Sequence, residues 1–211
     1  MLDELSKAGH DDVRLRVGSV EPRSLDPEFV KVMAQSEGRV CRHLHLPLQS
    51  GSDKVLHEMN RPYSAHEFLE VVAMLKRQVG DISLTTDVIV GFPGETEQDF
   101  ADTCKLVREV GFTKIHVFRY SRREGTPAAS RTDQIPAETK ERRAHELSVL
   151  GDRLRIQYAQ RHIGSHELVA VEQEGWGMTE SYYKVRVDGF PQGALVDVCL
   201  TGVDDAAIMR A

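Results

Sequence analysis

The sequence predicts an α/β protein whose main body is a barrel-like parallel sheet and whose tail is a small antiparallel β-barrel. Three observations predict it. Strand-like and helix-like segments alternate up to residue 120 with short loops between them, as parallel strands joined by crossover helices require. The strands have one polar face, which suits a wet lumen, whereas a flat sheet covered on both sides favours continuous apolar runs. Past Gly164 the apolar residues recur with period two and Gly-rich turns intervene, the pattern of short antiparallel strands.

Leu2, Leu5 and Ala8 suit a first helix. Residues 13–19, VRLRVGS, alternate apolar and basic and predict a strand. Asp26 before Pro27 starts a helix over about 27–36, because the side chain caps and the ring is already at helical φ. Residues 41–48, CRHLHLPL, set Leu44, Leu46 and Leu48 on one side and His43 and His45 on the other. The turn QSGSD and a short helical piece through Met59 follow. Ser64 and Glu67 form a capping-box pattern, Phe68, Val71, Val72, Leu75 and Val79 recur at helical spacing, and Gly80 stops the helix.

Residues 82–90, ISLTTDVIV, predict the next strand, ending in GFPGE. Thr96 caps a helix with Phe100, Cys104, Val107 and Val110 on its apolar face, and residues 114–120, KIHVFRY, form another strand. Residues 136–161 read as one long charged helix with Leu147, Leu150, Leu154 and Tyr158 on one side. The expected organisation is a partial barrel over residues 1–135, a linking helix over 136–161 and a small β-barrel over 162–211.

Composition narrows the class. With 40% hydrophobic and 28% charged residues, the chain is ordinary for a globular protein. Its apolar runs are too short for a transmembrane helix and its first residues do not resemble a secretory signal, so no membrane is expected and the cytoplasm is the expected compartment. A net charge of −6 does not by itself point to nucleic acid. Cys41, Cys104 and Cys199 contain no closely spaced pair, which argues against a disulfide framework and against a locally encoded metal site.

Four segments align with a known family: RLRVGSVEP, HLHLPLQSGSDKVLHEMNR at 43–61, TTDVIVGFPGET at 85–96 and FRYSRREGTPAA at 118–129. Together they resemble the last four barrel strands, with their loops, of the radical S-adenosylmethionine methylthiotransferases. Residues 177–185, GMTESYYKV, resemble the G-x-T-E-N-Y-x-x-V stretch of the TRAM barrel that ends those enzymes, with Ser181 in place of Asn. Gly18-Ser19-Val20-Glu21-Pro22 looks like the GSLEP form of the branch that methylthiolates threonylcarbamoyl-adenosine beside the tRNA anticodon. The isopentenyl-adenosine branch and the ribosomal-protein branch typically carry other strings there.

The resemblance implies a partial radical-SAM barrel of TIM type, S-adenosylmethionine as cofactor, [4Fe–4S] clusters in the full-length parent, and the tRNA anticodon stem-loop as partner. It implies cofactor contacts from Gln49, Ser50 and Ser52 in QSGSD, from Asp87 facing the lumen with Thr85, and from Gly91 and Phe92 in GFPGE. Each has a purely structural alternative: QSGSD as a turn with Ser52 or Asp53 capping a helix, GFPGE as a βα loop, Asp87 as the partner of a lumen histidine. His43, His45 and His116 come from different strands with no carboxylate fixed by sequence, so they are read as hydrogen-bonding lumen residues; no metal ligand and no catalytic residue is assigned.

RNA contacts are expected from Arg119, Arg122 and Arg123, in a stretch over 119–161 with ten Lys/Arg against six Asp/Glu, and from Lys184 and Tyr182 in the tail, with Trp176 and Tyr183 available for stacking. An ordinary solvated helix face is the alternative for the basic stretch. The tail from 163 to 211 has three basic residues against eight acidic ones, which argues against strong RNA binding by the tail alone.

The family's CxxxCxxC cluster loop, its first two strands and its amino-terminal domain have no counterpart, so four strands are expected to form an open partial barrel with an exposed edge. The readings are a fragment or truncated frame of a tRNA methylthiotransferase, inactive without its amino-terminal region; a non-catalytic RNA-binding module; and a parent that acts on isopentenyl-adenosine or on a ribosomal protein.

Overall fold

The computed structural model describes residues 13–36 and 38–211. The helix expected over Leu2, Leu5 and Ala8 lies outside them.

Three parallel strands form the partial barrel in the order β1 (His43–His45), β2 (Ser83–Val90), β3 (Lys114–Arg119). Helix α1 (Pro27–Ala34) precedes β1, α2 (Asp53–Glu58) and α3 (Ala65–Val79) join β1 to β2, and α4 (Glu97–Val110) joins β2 to β3. The helix starts follow the sequence signals. Asp26 accepts from the Phe29 N–H, and Ser64 with Glu67 and Thr96 with Asp99 close reciprocal capping boxes. The leucines of CRHLHLPL and the apolar faces of α3 and α4 meet in one core, with Leu44, Leu46, Leu48, Phe68, Leu75, Val107 and Phe112 buried.

One predicted strand does not form a ladder. Residues 13–19 make only isolated parallel bridges, Leu15 with Val40 and Ser19 with His45, so the expected four strands are three. Leu15 and Val17 pack on the barrel core, as their alternation predicts, and Val20 joins them there. The intervening arginines are drawn across to the second sheet. Arg14 donates to the Leu168 and Met178 carbonyls, and Arg16 donates to the carbonyls of Thr179 at 2.8 Å and Glu180 at 3.1 Å. Among the described residues β3 pairs only with β2, so the open edge expected of a partial barrel is present.

A short helix, α5 (Pro127–Ser130), leads to α6 (Ala137–Arg161). Helix α6 serves both cores: Leu147 is buried in the first, and Tyr158 and Ala159 in the second. The tail folds as a six-stranded sheet in the order β7 (Leu195–Cys199), β4 (His166–Gln173), β5 (Trp176–Thr179), β6 (Lys184–Arg186), β9 (Met209–Arg210), β8 (Gly202–Val203). All pairs are antiparallel except β6 with β9. Sequence periodicity found the strands around Leu168, Val185, Val196 and Met209; it did not single out β5, whose WGMT has only Trp and Met as side chains of size. Tyr183 is fully buried beneath Arg155 and stacked on Tyr158, so it is unavailable to bases, contrary to the sequence expectation.

Two outcomes follow. Arg16→Ala strips charged donors from two carbonyls and is expected to lower stability by about 1.5–3 kcal/mol in urea denaturation, whereas Arg23→Ala, which removes an exposed pair with Glu67, is expected to cost less than about 1 kcal/mol. Burial works against ionisation of Asp99, but hydrogen bonds from Thr96, Ser52 and Lys54 outweigh it and hold the carboxyl well below the ordinary carboxylate range. Its contribution to stability is therefore complete above its unfolded value of 3.8 and is lost as pH falls toward the folded value. Asp99→Asn is expected to be less stable at neutral pH and to lose less further stability on acidification below about pH 4, read as urea midpoints against pH.

Candidate functional site

The residues after β1 and β2 build the site. Gln49 follows Leu48 at φ 65, a conformation unusual for a side-chain-bearing residue. It is held there because its N–H donates to the Asp87 carbonyl at 2.8 Å and its carbonyl accepts from Ile89 N–H at 2.9 Å. Its side-chain amide takes part in no hydrogen bond among the described residues. Ser50 and Ser52 turn the other way. Ser50 is fully buried with its hydroxyl at 3.3 Å from that of Thr103, and Ser52 caps α2 while donating to Asp99 at 2.7 Å. A side chain at Gly51 would lie 2.5 Å from the Thr103 backbone, so glycine is required where this loop meets α4. Of the three polar residues of QSGS, the structure brings only Gln49 to the cavity, and the two serines hold the loop.

The loop after β2 is fixed by an ion pair. The Glu95 carboxylate accepts from Gly91 N–H at 2.7 Å and from Arg143 of α6 at 2.5 Å, with both charged side chains almost fully buried. Arg143 also reaches Glu97 at 2.6 Å. Gly91 sits at φ 73 with Lys140 against the position of its missing side chain, so it faces α6 and shapes the loop. Phe92 is buried, with the edge of Tyr120 at 5.3 Å and Arg131 over its ring at 5.8 Å.

These loops line an open cavity of about 520 Å³ at the carboxyl ends of the three parallel strands, with Gln49, Asp87, Ile89, Phe92, Phe118 and Tyr120 on its walls and Arg61, Arg119 and Arg123 at its side. Its size suits a small-molecule site. A larger cavity, about 740 Å³, opens at the other end of the strands beside Gly80, Ile82 and Gly111. Ligands of such sheets bind at the carboxyl ends, so the smaller cavity is the candidate site. Arg122 is exposed and does not line it.

The lumen row predicted by parity is present. Thr85 Oγ1 lies 3.2 Å from His43 Nε2 and 3.0 Å from His45 Nδ1. His45 Nε2 lies 3.4 Å from Asp87 Oδ2, and Asp87 is in register with His116. Burial, helped by Arg16 and His45, pushes His43 down to about 3, and burial with Lys114 lowers His116 as well, so both rings are neutral at physiological pH. The carboxylate that could not be fixed from sequence is Asp87: only the register of β2 on β1 and β3 joins it to both histidines.

The tail residues divide. Tyr182, at φ 68, packs its ring 4.6 Å from His43 with Arg16 over it at 4.9 Å, closing the amino-terminal end of the lumen. Lys184 instead covers Trp176 at 4.3 Å, with Arg186 on the same ring at 5.4 Å. Tyr182 and Lys184 thus pack on different partners, His43 and Trp176.

The cysteines do not fit an iron–sulfur cluster. Such clusters are held by converging thiolates, but Cys41 and Cys104 are buried in the partial barrel and Cys199 is exposed on β7. Burial raises both buried thiols, Cys104 to about 11, which leaves them protonated.

Comparison with known proteins gives a consistent assignment. A family model described as the radical SAM superfamily matches residues 2–107, half of the chain. The tRNA-2-methylthio-N(6)-dimethylallyladenosine synthase of Endomicrobium trichonymphae is 39% identical over 180 residues, covering 85% of this chain and 43% of that protein. The threonylcarbamoyladenosine tRNA methylthiotransferase MtaB of Bacillus subtilis (strain 168) is 37% identical over 198 residues, covering 90% and 44%. The chain thus spans less than half the length of these relatives. Among solved structures, the radical SAM enzyme coproporphyrinogen III oxidase (HemN) from Escherichia coli superposes with a TM-score of 0.57 at 20% identity, over 72% of this chain and 36% of that one, which supports the partial-barrel fold. The described residues include no helix long and apolar enough to cross a membrane. The chain belongs to the radical SAM superfamily, within its methylthiotransferase family.

Proposed function

We propose that the chain carries the cofactor-side strand ends and the RNA-side tail of a tRNA methylthiotransferase, which adds a methylthio group at C2 of an N6-modified adenosine beside the anticodon. The observation that carries this reading is the cavity at the carboxyl ends of β1 to β3, where Gln49 and Asp87 present polar groups beside the apolar Ile89 and Phe92. That combination suits S-adenosylmethionine: the amide and carboxylate bind its ribose and amino-acid moieties, and the apolar wall receives its adenine. When bound, S-adenosylmethionine supplies the radical and the methyl group of the family's chemistry. The chain's own contribution is to position these groups and to offer Arg119 and Arg123 at the rim, with Arg122 beside them, to backbone phosphates. Its three cysteines do not furnish cluster ligands, so the chain alone is inactive and works with an amino-terminal region in the cytoplasm. In this reading the tail is a TRAM domain from residue 162, with Lys184 and Arg186 on Trp176 as its basic aromatic group.

The Gly18–Pro22 string favours threonylcarbamoyl-adenosine as the modified nucleoside. The dimethylallyl-adenosine reading is supported by the identity to the Endomicrobium synthase. Deleting the gene that encodes the chain is expected to remove a 2-methylthio-adenosine from tRNA digests analysed by mass spectrometry, and the N6 group left behind identifies the substrate. Unchanged tRNA nucleosides together with an altered ribosomal-protein mass would sink the proposal in favour of a protein substrate. In equilibrium dialysis of labelled S-adenosylmethionine, Gln49→Ala is expected to weaken binding about tenfold, one lost hydrogen bond. Ser52→Ala should instead lower stability by about 1 kcal/mol, as loss of a helix cap does, with affinity unchanged.

A further inference from the structure

The lumen holds a side-chain cluster that the cofactor reading does not use as a unit. His45 of β1, Asp87 of β2 and His116 of β3 each offer a ligand atom, and these atoms all lie within 4.8 Å of one another. Among the described residues no other group of three His, Cys, Asp or Glu meets that condition. An ion with ligand bonds of about 2.0–2.2 Å in tetrahedral geometry sets its ligand atoms about 3.3–3.6 Å apart. The His45–Asp87 separation of 3.4 Å already has that spacing, and a ligand atom of His116 lies within 4.8 Å of both.

Three details make this more than proximity. The ligands come from three adjacent strands whose register is fixed by backbone ladders, so the site is carried by rigid elements. His45 Nδ1 is oriented by Thr85 Oγ1 at 3.0 Å, the outer hydrogen bond that metal-bound histidines commonly make. In the tautomer in which His45 Nδ1 donates to Thr85 Oγ1, the Nε2 lone pair faces the Asp87 carboxylate at 3.4 Å, the arrangement that a bound cation requires. A divalent ion engages all three side chains.

We propose that His45, Asp87 and His116 bind one divalent transition-metal ion of the zinc class, with a fourth position open to the cavity above them. Two imidazoles and one carboxylate are a ligand set for such ions rather than for calcium or magnesium, which take oxygen. The site shares Asp87 with the cofactor reading but is argued from the geometry of these three side chains alone, and it is titrated without S-adenosylmethionine.

The test uses the whole chain, stripped with chelator and titrated with zinc by calorimetry and with cobalt(II) by visible absorption. The expected result is one equivalent of zinc and cobalt d–d bands of a low-coordinate site. His116→Ala is expected to weaken zinc binding at least about 100-fold, and Thr85→Val about 10–100-fold through the His45 ring alone. His166→Ala, which breaks the exposed His166–Asp197 pair, and Cys199→Ser are expected to leave affinity unchanged. Circular dichroism establishes that each variant folds. The proposal is overturned if the unaltered chain, which needs no variant to fold, binds no zinc. It is equally overturned if His116→Ala binds as tightly as the parent, or if zinc is lost with His166→Ala or Cys199→Ser instead.

Discussion

The Arg143–Glu95 pair is the contact on which the cavity depends. Both side chains are buried, and the same carboxylate takes the Gly91 N–H. One interaction therefore fixes the loop after β2 and fastens it to α6, the helix that enters both cores. A buried pair of this kind adds little net stability over an apolar contact, but losing one partner strands a charge in the interior. Its value here is positional. The loop carrying Phe92 is held by a helix that is itself held by two hydrophobic clusters. Gln49 is fixed separately, by hydrogen bonds to β2 through its own backbone.

Much of the fold is legible in the sequence, and the reasons are local. Helix starts are readable because Asp26-Pro27, Ser64-Glu67 and Thr96 encode their caps within four residues. The polar lumen is readable because period two assigns His43, His45, Thr85 and Asp87 to one face without knowledge of their neighbours. What escapes depends on residues far along the chain. Ser50 and Ser52 look like ligand groups until Thr103 and Asp99 of α4 claim their hydroxyls. The 13–19 segment looks like an ordinary strand, and its arginines give no sign that their acceptors lie on and beside β4 and β5. Asp87 can be assigned to the lumen but not to His45 and His116, since strand register is absent from any one strand's sequence.

The acidic tail also reads differently once folded. Of its eight carboxylates, Glu167 and Glu180 are buried, Glu167 beneath the Ser181 hydroxyl and Glu180 against Arg42 of the partial barrel. They are interior and interface groups rather than a repulsive surface, so a count of charges overstates the negative field that the tail presents. The basic residues on Trp176 are outward-facing by contrast: Lys184 and Arg186 are both exposed. The sign of a domain's composition and the sign of its working face need not agree.

The arginine clasp has a consequence for how the protein is made. Arg14 and Arg16 bond partners 154 to 164 positions later in the chain. Such separation raises contact order, and loop-closure entropy must be met before these bonds reward it. During synthesis the three-stranded sheet can gather its helices while the acceptors of both arginines are still untranslated. Until the tail emerges, the two guanidinium groups lack these acceptors. The tail thus completes a contact that the first part of the chain cannot make by itself.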